Sequence, residues 1–426
     1  MTVEPRTGPS LPDHCRRIAE RARAAAIDLG TVPGRQRAAA LAAAAARIRS
    51  DAGEILAANA LDVAAAPGFG LSPAAIDRLV LDDTRLEAIA AGVEAVAALP
   101  DPVGELLEET VRPNGLTVRK VRVPLGVVFF VYESRPNVTA DAAAVAIASG
   151  NAIILRGGKE AARSSRRIVD SVRAGLVEAG LPADVVQLVD VADRAAVGEF
   201  LALADLIDIA IPRGGEALIR RVCAEARMPV LKHFSGNCHV YVDRAADLTM
   251  AEAITVNSKC HRMGVCNAAE SLLVHRDVAD RFLPAVAQKF VGQGVEIAGD
   301  EATCRLLPMA VPATAADWDT EFLGPKIAVA VVESLDAAID HVNRHGSRHT
   351  DAIVTADPAA AARFTSRVDT AVAMVNASTR FNDGGELGMG AEIGISTDKL
   401  HARGPCGPRE LTTYKYVVTG TGQVRT

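Results

Sequence analysis

The stretch Ala152-Ile-Ile-Leu-Arg-Gly-Gly-Lys159 decides the fold class, because it joins an apolar run to a glycine turn and then to a helical segment. A short continuous apolar run is typical of a strand that is buried on both faces of a sheet. The same order recurs further on, where Ile211-Pro-Arg-Gly-Gly215 also precedes a helical segment. Strands that alternate with helices in this way predict a parallel α/β sheet.

Working outward, two series of short strands predict two doubly wound α/β domains. The first series is Val127–Tyr132, Ala152–Leu155, Val185–Val189, Leu206–Ile209 and Val230–Lys232. The second series is Val240–Val242, Ser271–Val274, Ile327–Val332, Ala352–Val354 and Ala373–Val375. Before both, residues 12–99 consist mostly of helix formers, broken at Pro33-Gly34 and Pro67-Gly68, and predict about three helices.

A hairpin is predicted between the helical region and the first strand series. The residues from Leu107 to Val123 alternate around Pro113-Asn114-Gly115, which is a strong turn sequence. A last strand-like segment, Tyr414–Val418, follows a glycine-rich stretch and stands alone. Because a protruding hairpin and an isolated strand can pair with each other or with another subunit, a homo-oligomer is predicted, a dimer or a tetramer.

The composition excludes several classes of function. Of the 426 residues, 49% are hydrophobic and 23% are charged, with a formal net charge of −6, whereas a nucleic-acid binder needs a basic face. The longest apolar stretch, Val123–Tyr132, is too short to cross a bilayer, and residues 1–15 lack the apolar core of a signal peptide. Seven cysteines, an odd number in a large chain, fit reduced thiols in the cytoplasm.

Two predicted strand ends carry cations and glycines that could bind a dinucleotide, although neither common phosphate-binding glycine motif is present. Ligands of parallel sheets bind at the carboxyl ends of the strands, where Arg156 and Lys159 fall. At the second end, Gly214 and Gly215 would let backbone N–H groups approach a pyrophosphate. Ordinary glycine turns with solvated cations are the alternative, and spacing alone leaves both open.

Cys266 is the candidate nucleophile. It lies in a polar, glycine-interrupted segment close to Lys259, His261 and Arg262, and nearby cations make a thiol more reactive. A buried structural cysteine is the alternative. A third interpretation is a metal site formed from His233, Cys238, His239, Cys260, His261 and Cys266. Those spacings lack the paired forms of structural zinc sites, so no metal is predicted.

Longer motifs add a resemblance. They are Tyr132-Glu-Ser-Arg-Pro-Asn-Val-Thr139, Ser149-Gly-Asn-Ala-Ile-Ile-Leu-Arg-Gly-Gly158, Ile211-Pro-Arg-Gly-Gly215, Gly236-Asn-Cys-His-Val-Tyr-Val-Asp243, Gly264-Val-Cys-Asn-Ala268, Val375-Asn-Ala-Ser-Thr-Arg-Phe381 and Gly390-Ala-Glu-Ile-Gly-Ile-Ser-Thr-Asp-Lys-Leu-His-Ala-Arg-Gly404. Together they resemble the γ-glutamyl phosphate reductases, a family of the aldehyde dehydrogenase superfamily. The resemblance implies an aldehyde dehydrogenase-like fold. Residues 1–106 and 125–233 would bind NADP, 234–385 would form the catalytic domain, and 107–124 with 411–426 would form a small β oligomerisation arm.

The resemblance also implies a reaction, the NADPH-dependent reduction of L-glutamyl 5-phosphate to L-glutamate 5-semialdehyde in proline biosynthesis. Cys266 would carry the acyl group as a thioester, and Asn137 would help to stabilise the oxyanion unless it is only a turn residue. His233 stands where hydrolytic relatives have a glutamate base, which fits an enzyme that does not hydrolyse its thioester. The chain departs from the family at Met263 and at Phe234-Ser235, which leaves the fit around the substrate open.

Cofactor and substrate residues follow from the same resemblance. Arg156 and Lys159 replace a motif that ends in a carboxylate, and a cation there favours NADPH over NADH. Glu321 would bind the nicotinamide ribose, with an exposed acid as the alternative. Arg262 is the candidate for the substrate phosphate. Four more cations would bind the substrate carboxylate or order loops, with structural salt bridges as the alternative: Arg135, Arg380, Lys399 and Arg403.

Three rival functions remain at this point. The first is a related thioester-forming dehydrogenase that uses another acyl phosphate or an acyl-CoA. The second is a hydrolytic aldehyde dehydrogenase, and the third is a non-catalytic protein that binds NADP or assists assembly.

Overall fold

The computed structural model describes residues 10–133 and 135–425. Residues 1–9 of the predicted cofactor domain, Ser134 of the 132–139 motif and Thr426 of the predicted arm lie outside the described residues. The chain divides into two compact units. Unit 1 comprises Met1–Lys232, Gly388–Gly394 and Cys406–Thr426, and unit 2 comprises His233–Leu387 and Ile395–Pro405.

Unit 1 is built around a parallel sheet. Its helices are α1 (Leu11–Leu29), α2 (Gly34–Ser50), α3 (Ala52–Ala65), α4 (Pro73–Leu79), α5 (Asp83–Ala97), α6 (Pro136–Ala148), α7 (Ala162–Glu178), α8 (Ala195–Leu201) and α9 (Glu216–Glu225). Its strands are β1 (Leu106–Val111), β2 (Thr117–Pro124), β3 (Val127–Tyr132), β4 (Ala152–Arg156), β5 (Val186–Leu188), β6 (Ile209–Arg213) and, late in the chain, β16 (Thr412–Thr419). Four of these form the parallel sheet in the order β5-β4-β3-β6.

The remaining three strands of unit 1 form an antiparallel sheet in the order β1-β2-β16. The hairpin β1-β2 closes around the predicted turn, and β16 pairs with β2 along its whole length, from Thr412 opposite Pro124 to Thr419 opposite Thr117. Seven of the eight positions of β16, residues 413–419, are exposed. The arm is therefore a ribbon with little core of its own.

Unit 2 contains a larger parallel sheet in the order β10-β9-β11-β8-β7-β12-β13. Its strands are β7 (Cys238–Val242), β8 (Ala269–His275), β9 (Glu296–Gly299), β10 (Val311–Pro312), β11 (Lys326–Val332), β12 (Thr350–Val354) and β13 (Val372–Val375). Its helices are α10 (Leu248–Cys260), α11 (Arg276–Gly292), α12 (Glu301–Leu306), α13 (Leu335–His345) and α14 (Pro358–Arg367). Two short strands, β14 (Gly394–Ser396) and β15 (Gly404–Cys406), pair with each other.

Side chains of successive residues in the unit 2 strands pack on opposite faces of the sheet, as a pleated strand requires. Val240 and Val242 belong to one hydrophobic cluster, whereas Tyr241 between them belongs to another. Leu273 of the next strand packs in the same cluster as Tyr241. Helices cover both faces, so these strands are buried along their whole length, and the predicted α/β fold with two parallel sheets is confirmed.

Several local predictions were wrong. Residues 11–97 form five helices rather than about three, because additional breaks occur at Asp51 and Val80. The strand predicted at 206–209 begins only at Ile209, since Leu206 donates its backbone N–H to the Leu203 carbonyl in a helical turn. The strand predicted at 230–232 is reduced to a single bridge between Val230 and Ala210. No helix among the described residues is long and apolar enough to cross a membrane.

Candidate active site

The loop that carries Cys266 is a short turn between α10 and β8 in unit 2. The backbone N–H of Ala268 donates to the Val265 carbonyl at 3.0 Å, which closes the turn. Asn267 and Ala268 are buried, whereas Cys266 is half-buried. The sequence break between helix and strand therefore places the thiol next to solvent on a segment whose other residues are anchored.

Asn267, next to the thiol, ties this loop to the 375–381 motif. Its amide nitrogen donates to the Asn382 carbonyl at 2.9 Å, and the Thr379 hydroxyl donates to the Asn267 carbonyl at 2.7 Å. The Asn382 amide in turn donates to the Thr350 hydroxyl at 2.6 Å. Because these groups are buried, each lost bond would leave an unsatisfied polar atom, so the network fixes the backbone beside Cys266.

Two imidazoles lie beside the thiol. One ring nitrogen each of His233 and His349 and the Sγ of Cys266 all lie within 4.8 Å of one another. The two rings meet edge to face, with centroids 5.4 Å apart. His233 Nδ1 is 3.0 Å from the Ile395 carbonyl oxygen, which can only accept, so Nδ1 carries the hydrogen and the neutral ring has its lone pair on Nε2.

Two guanidinium groups also lie near the thiol. Arg380 is half-buried, and its Nε is 3.4 Å from His261 Nδ1. Burial lowers the pKa of Arg380; the charge of Arg262 lowers it further, while Cys266 acts in the opposite direction. Arg262, the predicted phosphate ligand, is exposed. The structure therefore brings Arg262, Arg380 and Cys266 into one neighbourhood.

A buried ion pair supports the same region. Lys259, at the end of α10, pairs with Glu270 at the start of β8, and both side chains are inaccessible to solvent. The other carboxylate oxygen of Glu270 accepts from the backbone N–H of Leu323 at 3.1 Å. Burial raises the pKa of Glu270 to about 7, and Glu321, two residues before Leu323, is close enough to act in the same direction. Glu270 therefore connects the backbone near Glu321 to α10, which precedes Cys266, and to β8, which follows it.

The predicted cofactor cations lie in unit 1. Arg156 ends β4 but is only 9% exposed, and it donates to the backbone carbonyls of Gly157 and, at 3.2 Å, Ala192. Burial lowers its pKa. Gly157 packs against Tyr132, since a Cβ there would lie 3.0 Å from the phenol ring. Arg156 therefore shapes the turn after β4 more than it faces solvent.

Lys159 is exposed, with its ammonium 4.8 Å from the centroid of the Phe69 ring. Glu160 lies in the same turn, and its carboxylate is close to the backbone there. A Cβ at Gly158 would lie 2.5 Å from the Cδ of Glu160. The predicted cation at the ribose position therefore shares its loop with a carboxylate.

The predicted pyrophosphate turn follows β6, where Gly214 and Gly215 precede α9. The backbone N–H of Gly215 donates to a carboxylate oxygen of Glu133 at 2.9 Å. A Cβ at Gly214 would lie 2.5 Å from that oxygen. An anion thus already occupies the amino end of this helix, where the partial positive charge of the helix is strongest.

Asn137, the predicted oxyanion residue, lies in the first turn of α6 in unit 1. Its amide nitrogen donates to a carboxylate oxygen of Asp141 at 3.2 Å. Burial raises the pKa of Asp141 to about 6, although Asn137 and Arg213 act against this rise. Because Asn137 belongs to unit 1 and Cys266 to unit 2, their joint action stays a prediction.

Two of the predicted substrate cations share one acid. Lys399 and Arg403 reach Asp369 at 3.3 Å and 2.8 Å, and Arg348 approaches the same carboxylate at 3.5 Å. Burial alone would raise the pKa of Asp369, but Arg403 and Lys399 bring it below its ordinary value. Arg135, the last predicted cation, is exposed just before α6. Substrate binding by these residues stays a prediction.

Three functional candidates were missed from the sequence. Glu270 lies 11 residues from Lys259 on a different element, so no helical or strand spacing indicated that it pairs with this lysine. His349 lies immediately before β12, far along the chain from Cys266, and only the fold brings them together. Glu133 could have been noticed, because an acid directly after a predicted strand falls at the ligand edge of the sheet.

Comparisons with known proteins show the family to which the chain belongs. The model of the aldehyde dehydrogenase family matches residues 10–310. A γ-glutamyl phosphate reductase of Rhodopirellula baltica is 57% identical over 415 residues, 97% of this chain and 96% of that protein. The chain belongs to the γ-glutamyl phosphate reductase family. Another member, from Rhizorhabdus wittichii, is 54% identical over 95% of this chain and 94% of that protein.

A solved member of the γ-glutamyl phosphate reductase family supports the fold in detail. The crystal structure of the Thermotoga maritima protein matches with a TM-score of 0.94 and 43% identity, covering 97% of this chain and all of that chain. An acetylating aldehyde dehydrogenase from Geobacillus thermoglucosidasius matches with a TM-score of 0.68 at 17% identity, which supports the fold alone.

Proposed function

We propose that the chain reduces L-glutamyl 5-phosphate to L-glutamate 5-semialdehyde with NADPH, releasing phosphate, as a step of proline biosynthesis. The observation that carries this proposal is the half-buried thiol of Cys266 next to Arg262 and Arg380, in a member of the γ-glutamyl phosphate reductase family. A thiol beside two guanidinium groups suits an acyl donor whose leaving group is an anion.

The chain's own residues account for the first half of the reaction. The Cys266 thiolate attacks the acyl carbon, a carbon–sulfur bond forms, and the bond to the phosphate oxygen breaks. Arg262 and Arg380 neutralise the departing phosphate, and the Cys266 backbone N–H with the Asn137 amide would stabilise the oxyanion. Bound NADPH supplies the hydride that converts the resulting thioester to the aldehyde and returns the thiolate.

The groups beside the thiol support reduction over hydrolysis. A hydrolytic dehydrogenase uses a base, which the resemblance places as a glutamate, to activate water against the thioester. At the corresponding position this chain has His233, whose Nδ1–H is held by the Ile395 carbonyl. In the proposed reaction water is a competitor of the hydride, so a carboxylate base at this point would be harmful.

The residues of unit 1 fit a dinucleotide. The Glu133 carboxylate accepts from the Gly215 N–H at this helix start, which supports the proposal that a pyrophosphate binds at the same position. Lys159 and Arg156 would lie on the adenosine side and Glu321 on the nicotinamide ribose. The exposed ammonium of Lys159 supports NADPH over NADH, since it would attract a 2′-phosphate.

The exposed strand edge of the arm supports a homo-oligomer, and the free cysteines support a location in the cytoplasm. β16 pairs with β2 on one side only among the described residues, and its outward-facing residues include Tyr416 and Val418, which are 61% and 55% exposed. An apolar, unpaired strand edge is a template for pairing with another chain. The seven free cysteines fit a reducing compartment.

The deciding experiment runs the reaction backwards. L-Glutamate 5-semialdehyde and NADP⁺ are supplied with and without inorganic phosphate, and NADPH formation is followed by absorbance. Oxidation that requires phosphate, is lost in Cys266→Ser and persists in Cys260→Ser would support the proposal. Cys260 is a matched control, since it is also a half-buried thiol on the same stretch of chain.

Each rival function has its own outcome in this assay. Oxidation without phosphate indicates a hydrolytic dehydrogenase. Oxidation that requires coenzyme A in place of phosphate indicates an acyl-CoA reductase. Full activity in Cys266→Ser would overturn the thioester on this residue, and no activity under any condition favours a non-catalytic role.

A further inference from the structure

Three soft or borderline donors converge at the nucleophile. The ligand atoms of His233, Cys266 and His349 lie within 4.8 Å of one another, and no acid takes part in this cluster of described residues. The three residues come from three separate segments, which is why sequence spacing indicated no metal site. One thiolate and two imidazoles are a donor set that proteins use for Zn²⁺.

The geometry is close to that of a zinc site. Zn–S bonds of ~2.3 Å and Zn–N bonds of ~2.0 Å in a tetrahedron place neighbouring donors roughly 3.5 Å apart. Donors as far apart as 4.8 Å would have to approach one another by about 1.3 Å, which rotation of the half-buried side chains of Cys266 and His233 can provide. Cys266 and His233 are both half-buried, so a cation can reach the cluster from solvent.

Contacts behind the donors orient them. The Ile395 carbonyl accepts from His233 Nδ1, which leaves the Nε2 lone pair of the neutral ring as the donor. His349 Nδ1 is 2.8 Å from the Thr350 hydroxyl, so a polar group also fixes that buried ring. Backbone carbonyls and hydroxyls behind ligating histidines are the usual supports of zinc ligands.

The neighbouring thiol of Cys238 does not join this set. Its Sγ donates to the Cys266 carbonyl at 3.2 Å, and the side chain is fully buried. The Cys238 Sγ also lies 3.6 Å from His349 Nδ1, so its contacts are made in the buried interior and not toward the solvent from which the cation enters. The site therefore offers three protein ligands and leaves the fourth position to water, an open arrangement that favours reversible binding.

We propose that His233, Cys266 and His349 form a site for Zn²⁺ that occupies the nucleophile and inhibits the enzyme reversibly. Cys266 releases its proton to solvent when the sulfur–zinc bond forms. The inhibition rests on the proposed function, because it requires Cys266 as the nucleophile. The binding itself does not.

The first test measures binding without activity. Metal-free protein is titrated with Zn²⁺ against a chromophoric chelator of known affinity. The expected result is one tight equivalent in the wild type, with affinity at least ~10-fold weaker in His233→Ala and in His349→Ala, because each removes one ligand. His345→Ala is the matched control, since this histidine pairs with Asp319 outside the cluster and should leave the affinity unchanged.

The second test measures whether Zn²⁺ protects the Cys266 thiol from alkylation. Alkylation of Cys266 by iodoacetamide is followed by peptide mass spectrometry with and without one equivalent of Zn²⁺. Protection in the wild type and in His345→Ala, but not in His233→Ala, supports the site. Equal affinity in the wild type and both cluster variants, or alkylation that Zn²⁺ does not slow, overturns it.

Two features keep the result interpretable. His349 is fully buried, so circular dichroism checks that its variant folds, and the half-buried His233 decides the question if it does not. Failure of the proposed function is distinguishable, because protection from alkylation is measured without substrate or cofactor. A chain that binds Zn²⁺ at this site but reduces no acyl phosphate would refute the function and keep the site.

Discussion

The backbone of Gly236 lies against the backbone of Cys266 so closely that a Cβ at position 236 would be 2.6 Å from the Cys266 Cα. It would be 2.5 Å from the Cys266 carbonyl carbon. Both obstacles are backbone atoms, which cannot rotate away as a side chain can. Position 236 therefore fixes the backbone from which the nucleophile projects.

Gly236→Ala is expected to lower kcat/KM by about 100-fold, because a displacement near 1 Å of a reacting group has effects of that size. Steady-state kinetics with glutamyl phosphate generated in situ would measure it. Gly292→Ala is the matched control, since a Cβ there meets nothing within 4 Å. Wild-type kinetics in Gly236→Ala would contradict the close contact.

The buried pair of Lys259 and Glu270 predicts non-additive stability. Lys259→Met leaves a buried carboxylate without its cation and is expected to cost about 3–5 kcal/mol of unfolding free energy. The double variant Lys259→Met/Glu270→Leu removes both charges and should recover part of that loss. Denaturant unfolding of the single and double variants would measure the difference, and equal losses that simply add would argue against coupling.

Asp141 predicts a pH dependence of stability. Burial raises its pKa in the folded state from 3.8 to about 6. Between these values the folded protein binds a proton that the unfolded chain does not, so this contribution to stability falls as pH rises from about 4 to about 6 and is constant above. Relative to Asp141→Asn, the wild type should lose at most about 3 kcal/mol over that interval.

Unfolding free energies from pH 4 to 7 would check this prediction for both proteins. Asp82→Asn serves as a control, because Asp82 is an exposed helix cap without this burial. A wild-type curve parallel to that of Asp141→Asn would show that Asp141 does not titrate in this range.

The cofactor proposal predicts a change of preference in Lys159→Glu. A carboxylate in place of the exposed ammonium would repel a 2′-phosphate, so kcat/KM with NADPH should fall by about tenfold or more while the value with NADH changes little. The ratio of the two values is the measurement, and Lys415→Glu on the exposed face of β16 is the control. An unchanged ratio would assign the preference to other residues.

The arm predicts that assembly depends on its exposed residues. Tyr416→Asp introduces a charge on the unpaired edge strand and is expected to shift the protein to a smaller species in light scattering. Thr421→Asp, beyond the end of β16, is the comparison. A wild-type mass for Tyr416→Asp would place the subunit contact elsewhere.

The sheets could be predicted from the sequence because their strands are short apolar runs, such as Val127–Tyr132, that are buried on both faces. The exact ends of the strands were harder to predict. Pro212 lies inside β6, and the helical turn at Leu206 delays the strand, so hydrophobicity alone placed it too early. The strand Glu296–Gly299 was not predicted, because it has only four residues.

The site was predicted in part. Cys266 and Arg262 are neighbours in the sequence, so their proximity was visible, and Arg380 was named through a motif. His349 and Glu270 act through contacts between distant segments, which no local pattern encodes. Lys399 and Arg403 were named as substrate ligands without their common partner Asp369, because an ion pair across separate loops leaves no periodic signal.

The order in which the chain enters and leaves the two units has a consequence for folding during translation. Arg122 of β2 donates to the hydroxyl of Thr412 of β16, which is 290 residues later in the sequence. During translation, β1 and β2 are therefore synthesised long before β16, the strand that completes their sheet. Chains that end before β16 would leave this edge of β2 unpaired and open to pairing with other chains.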